Sequence, residues 1–166
     1  MQTPLLEEGA LRLMYEELGG TSWRRSDNWL NMGPVSGWFG VSLGVDGSVR
    51  SLDLASNGLD GTLPDVVAFL SQLRRLDLRN SSLSGTLPPE LGELPALVEL
   101  SVRENVISGS VPSQLGGLNL IESLELDTNL MSGSLPSELG QLSEVAPGNC
   151  TLLRRQRQDG AAAGGT

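Results

Sequence analysis

Several charged and polar side chains of this chain recur at one fixed interval. Asp53 and Asp77 stand 24 residues apart, and so do Arg79 and Arg103, Arg75 and Glu99, Ser101 and Glu125, and Arg103 and Asp127. Paired carboxylates can do acid–base catalysis or hold a divalent cation, and registered arginines can grip carboxylates through their planar donors. The first two chemistries lack their usual partners here. The chain has no histidine, and all 11 of its basic residues are arginine. That excludes a histidine base, a histidine metal ligand, a Schiff-base lysine and a P-loop lysine. No D-x-D-x-D-G calcium loop occurs either. Any periodic acidic chain produces carboxylate pairs by repetition alone. The expectation is recognition without catalysis, with no cofactor and no metal.

The interval belongs to a repeat. The pattern V/L/I-x-x-L-x-L/V-x-x-N-x-L-x-G-x-L-P places glycines at Gly61, Gly85, Gly109 and Gly133 and prolines at Pro64, Pro88, Pro112 and Pro136. Four units follow without insertion: 49–72, 73–96, 97–120 and 121–144. Such a period predicts a stacked α/β solenoid. The x-L-x-L-x segment alternates as a strand, so Leu52 and Leu54 face the core while Ser51, Asp53 and Ala55 face out. Stacking sets these strands side by side in a parallel sheet at about 4.8 Å spacing.

Nine outward residues on that concave sheet are the candidate partner-binding site: Asp53, Arg75, Asp77, Arg79, Glu99, Ser101, Arg103, Glu125 and Asp127. Like charges on adjacent rungs, Asp53 with Asp77 and Arg79 with Arg103, are expected to leave room for an oppositely charged guest. Asn57, Asn105 and Asn129 should form a buried ladder of backbone hydrogen bonds. The second repeat departs, with Ser81 in the slot and Asn80 one place early; serine can make some of these bonds, so that rung is expected to be weakened and not broken. On the convex side P-x-E/Q-L-G-x-L suits a single tight helical turn.

The ends differ from the middle. Residues 1–48 read as an N-terminal cap. It should hold a helix over 3–18 with Thr3 as its cap and Pro4 in its first turn, then a segment with Trp23 and Trp29. Strands at 38–41 and 48–52 should follow, joined by a hairpin turn. Trp23, Trp29 and Trp38 are expected to close the apolar end of the solenoid. Residues 145–153 are a degenerate end and 154–166 a disordered tail. With only Val145, Leu152 and Leu153 to cover it, the fourth rung is expected to expose sheet edge and leucines, inviting weak self-association.

Net charge is −9, and residues 49–144 carry 5 arginines against 13 carboxylates. An acidic body argues against nucleic acid and anionic membranes and permits a protein or peptide partner. Cys150 is the only cysteine, so no internal disulfide can form. Neither a signal peptide nor an apolar span for direct membrane insertion is read from the sequence. Together these favour an intracellular location. Sequons occur at Asn80 and Asn149, and composition alone gives them no weight.

The repeat resembles the plant-type class of leucine-rich repeats, whose hallmark is L-x-G-x-I/L-P. It reads Leu59-Asp60-Gly61-Thr62-Leu63-Pro64 in the first unit and recurs in the other three, with Ile107 and Met131 for leucine in the last two. The cap resembles that class too, through Ala10-Leu11, Tyr15, Gly19-Gly20, Trp23, Asn28-Trp29 and Trp38-Phe39-Gly40-Val41. The resemblance spans about residues 5–144. It implies a right-handed superhelix with a second small sheet beside the G-x-L-P segments. In that family such domains serve as receptor-kinase ectodomains, enzyme inhibitors or free adaptors. Here the cap cysteine pairs of the secreted members are missing. The resulting expectation is a non-enzymatic module that recognises a protein or peptide on its concave face; the alternative is a receptor-like or inhibitor domain, secreted or membrane-associated.

Overall fold

A computed structural model describes residues 5–31, 33–142 and 150–151. Thr3 and Pro4, and nearly all of 145–166, including the expected tail, lie outside them. Helix α1 spans Leu5–Glu17 and buries Ala10, Leu11, Met14 and Tyr15. Strands β1 (Val41–Leu43) and β2 (Val49–Asp53) form the antiparallel hairpin. The first strand starts later than its apolar residues suggest. Val35–Gly37 forms a 3-10 turn closed by the Trp38 amide on the Val35 carbonyl, and the Val41 amide then bonds the Trp38 carbonyl.

Strands β4 (Arg75–Asp77), β6 (Glu99–Ser101) and β8 (Ser123–Glu125) follow β2 in parallel, with Leu52, Leu76, Leu100 and Leu124 in one row. All four leucines are buried. On the flank, β3 (Asp60–Thr62) pairs with β5 (Ser82–Ser84), and β7 (Ser108–Gly109) with β9 (Leu130–Met131). The expected second sheet is therefore two short pairs. Hydrogen bonds from Val106 to Leu83 and from Ser108 to Gly85 carry the backbone across the gap between them.

The convex side consists of 3-10 turns at Asp65–Phe69, Pro89–Glu93, Ser113–Gly117 and Ser137–Gln141. Their stacking is close enough to dictate a residue type. A Cβ on Gly92 would stand 2.1 Å from the Gln114 carbonyl oxygen, whereas one on Gly140, in the last turn, would meet nothing within 4 Å. Gly92→Ala should thus cost about 1–3 kcal/mol by overpacking, with Gly140→Ala near neutral. Urea midpoints of the two variants check this; equal losses would contradict the stacking.

At the N-terminal end Tyr15, Trp23, Trp29 and Trp38 are buried together. Ring centroids of successive pairs lie 5.0, 4.9 and 5.1 Å apart. These edge-on and tilted contacts suit aromatic quadrupoles and seal the first rung. The tryptophans are structural, as expected. Gly61 (φ 122°) lets the first repeat pass beneath α1, since a Cβ there would lie 2.0 Å from the Glu17 carbonyl oxygen.

Glu7 was not legible as a core residue. It is buried, and its carboxylate accepts the Val49 amide at 2.8 Å, tying α1 to β2. Burial pushes its pKa above the ordinary 4.5; the Val49 bond and Arg50 pull it back incompletely, and Asp46 adds to the rise. A carboxyl raised in this way supports the fold while protonated. That contribution is complete below about pH 4.5 and is lost as pH rises through the raised value. Glu7→Gln keeps a carbonyl acceptor for Val49, so it should match the native chain near about pH 4 and exceed its stability at about pH 7. Melts across that range test this; a difference independent of pH would contradict it.

The asparagine ladder forms with one gap. Asn105 accepts from the Leu83 amide at 3.0 Å and donates to the Leu78 and Val102 carbonyls. Asn129 accepts from Ile107 and donates to Val102 and Leu126 in the same way. Asn57 bonds both backbone groups of Arg25, fastening the cap to the first repeat. Ser81 is too short for this role, and its buried hydroxyl has no hydrogen-bond partner. Shifted by one repeat, an asparagine there would meet the Leu59 amide and the Leu54 and Leu78 carbonyls. Ser81→Asn should stabilise the chain by about 1 kcal/mol, read as a higher denaturation midpoint; a lower one would contradict the gap.

The far end corrects an expectation. Strand β10 (Cys150–Thr151) lies parallel to β8, with Cys150 beside Leu124 and Thr151 beside Glu125. The sheet edge expected to be open is paired over those residues. The chain achieves this by slipping two residues out of the 24-residue frame, because in strict frame Gly148 would have faced Leu124. The apolar half is corrected at the rung itself, where Leu124 and Leu126 are buried, while Leu135 on the flank is 43% exposed.

Candidate functional site

The parallel sheet sets the nine candidates on one concave face, but they are not equally free. Alternation fixes the direction of a side chain and leaves open what covers it. Asp77, Ser101 and Asp127 point away from the core and are nonetheless buried, at 2%, 8% and 8% exposure. Asp53 and Arg79 are exposed, and Arg75, Glu99, Arg103 and Glu125 are half-buried.

Arg75 explains much of this burial. It forms an ion pair with Glu99 on the next strand, bonds Asp77 at 3.0 Å and lies 3.9 Å from Asp53. Asp53 and Asp77 are rung neighbours, as expected. The space between them is not left for a guest, because the chain's own Arg75 neutralises the pair. Burial alone would weaken the Arg75 charge; Glu99, Asp77 and Asp53 more than offset it, and the guanidinium pKa rises. Burial, assisted by Asp53, pushes Asp77 upward, and the Arg79 amide, Arg79 and Arg75 only partly oppose that rise.

Around this hub is an open pocket of about 260 Å³, lined by Arg75, Asp77, Arg79, Glu99, Ser101 and Glu125 with Leu76, Leu100 and Ser123. Six of the nine candidates therefore meet there. Glu125 accepts the Ser101 hydroxyl at 2.8 Å. Arg79 stands 3.6 Å from Asp77, and its side chain is 45% exposed. Asp53, Arg103 and Asp127 lie beside the pocket and not in its wall. Arg103 bonds Glu104 at 2.7 Å, a contact that raises its pKa, and its Nε is buried without an acceptor.

One row of the outward positions departs from strand backbone. Ser56, Asn80, Glu104 and Thr128 share one slot in successive repeats, and all have φ between 55° and 57°. This left-handed turn ends each concave strand. The repeat register places the row among the outward positions, since each member directly precedes a ladder position, but not its left-handed backbone. Among the described residues no group of three or more histidine, cysteine or acidic side chains could hold a metal ion.

The leucine-rich repeat family matches at residues 48–70 and 72–94. No curated protein matches the chain. Among solved structures, the BIR3–SERK2 complex from Arabidopsis thaliana shares 30% identity, covering 82% of this chain and 77% of that one, with a TM-score of 0.70. The BIR2 ectodomain from Arabidopsis thaliana shares 28% identity over 87% of this chain and 78% of that one, with a TM-score of 0.78. The plant peptide hormone receptor RGFR1 in complex with RGF2 shares 29% identity over 65% of this chain, which spans only 20% of that receptor chain, with a TM-score of 0.60.

These similarities overturn the intracellular expectation, because the structures matched include receptor ectodomains. The error has a physical source. A missing cysteine pair does not mark a reducing compartment in this fold, because the Tyr15–Trp38 aromatic cluster closes the cap without a disulfide. Cysteine count therefore carries no information about compartment here. The repeats, the aromatic cap and the 30% identity over most of both chains converge, and the chain belongs to the plant-type leucine-rich-repeat family.

Proposed function

We propose that this chain is the recognition module of an extracellular, receptor-like assembly, binding an extended peptide or protein segment across its concave rungs. One observation carries the reading. A floor of three adjacent parallel strands, β4, β6 and β8, holds charged and polar side chains around an open pocket, with Arg79 at its wall and 45% exposed. Fixed strands lower the entropic cost of presenting these groups. The pocket wall offers acceptors at Glu99 and Glu125 and donors at Arg79, with Arg103 close by. A segment that pairs with both must carry a basic and an acidic group at the spacing of neighbouring rungs, about 5–10 Å. The fold is shared with a peptide hormone receptor, which supports a peptide as the ligand class.

The test is selection of a random peptide library on the immobilised chain, followed by amide hydrogen exchange of the complex. Selected peptides should combine acidic and basic residues and slow exchange in 75–79, 99–103 and 123–125. Peptides that protect the convex turns instead would refute the concave site.

A further inference from the structure

The sequon Asn80-Ser81-Ser82 is unused by the recognition reading, and the fold accepts asparagine at position 80 without requiring it. The ladder position of this repeat is residue 81, where asparagine is missing. The left-handed slot that Asn80 does occupy is filled by Ser56, Glu104 and Thr128 in the other repeats, at nearly the same φ. Neither structural role therefore demands asparagine here. Asn80 is exposed at the turn between β4 and β5, and its Nδ2 makes one hydrogen bond, to the Ser56 hydroxyl at 2.9 Å. Ser82, which supplies the motif's hydroxyl, is also exposed, at the first residue of β5.

We infer that Asn80 is an N-glycosylation acceptor, and that its glycan bounds the recognition face on the flank of the small sheets. This rests on the extracellular placement proposed above. The donor is a lipid-linked pyrophosphoryl oligosaccharide. The Asn80 Nδ2 bonds to the anomeric carbon of the first sugar and loses one proton, the bond from that carbon to the phosphate oxygen breaks, and the lipid pyrophosphate leaves. One N–H remains, enough for the bond to Ser56. Because Arg79 immediately precedes Asn80, the sugar would stand at the pocket's margin and steer a ligand toward the opposite side.

The full chain, placed behind a cleavable leader and carrying Asn149→Gln to silence the second sequon, is translated into microsomes. The protease-protected fraction is then weighed. The expected product is heavier by one glycan, and peptide-N-glycosidase removes that increment and leaves an aspartate in place of Asn80, which marks the modified site by its own small mass difference from the unmodified chain. Adding Ser82→Ala, which leaves the Asn80 turn intact, should abolish the increment. A protected chain with unmodified Asn80 overturns the inference, and so does an increment that survives Ser82→Ala. Since the leader supplies the compartment, failure here concerns the site alone. Failure of the extracellular reading would show separately, as native protein retained inside the cell.

Discussion

Truncating Leu100 to alanine should lower stability by about 2–5 kcal/mol, the range for a buried leucine whose cavity collapses incompletely. Leu100 is 1% exposed and sits in register between Leu76 and Leu124. Collapse is limited because both neighbouring strands are fixed by hydrogen bonds on either side of β6. A solenoid repeat contacts only the repeats beside it, so damage in the middle cannot be spread over a wider core. Leu135, 43% exposed in the last repeat, should tolerate the same change far better. Urea denaturation of both variants decides the matter. A Leu100→Ala midpoint equal to that of the native chain would mean that the leucine row is not the core.

Much of this architecture is legible in the sequence because a repeat multiplies weak signals. One L-x-L says little, but four in frame fix which leucines stack, and Leu52, Leu76, Leu100 and Leu124 do so. Direction is legible by the same alternation; burial is not. Asp77 faces outward yet is covered, because Arg75 bends back across it, and a side chain's reach is invisible to a two-residue period. Glu7 escaped for the opposite reason. An acidic residue in a first helical turn reads as dipole compensation, whereas here it caps the Val49 amide on a distant strand. The end strand β10 was missed because its register departs from the repeat that made the rest readable. At the site, residue identity located the charged face, and the arginine-centred pairing within it required coordinates.

That pairing separates the arginines by role. Arg75 is spent on Asp53, Asp77 and Glu99, so its removal would damage the sheet's own electrostatics. Arg79 lies 3.6 Å from Asp77, and Arg103 bonds Glu104 at 2.7 Å with Asp127 and Glu125 also acting on its charge; the two side chains are 45% and 37% exposed. They retain donors for a guest. Loss of a charge that a bound carboxylate has come to rely on costs about 2 kcal/mol or more, a factor of about 30 in affinity. The half-exposed Arg103–Glu104 pair contributes little to folding, and the buried Asp77 keeps its 3.0 Å bond to Arg75 when Arg79 is removed.

The most direct measurement is therefore calorimetric titration of a library-selected peptide into the native chain and into Arg79→Ala/Arg103→Ala, with thermal melts of both proteins. The account predicts affinity reduced by about 30-fold or more at an almost unchanged melting temperature. Equal affinity for the two chains would place recognition away from the concave face and contradict the central claim.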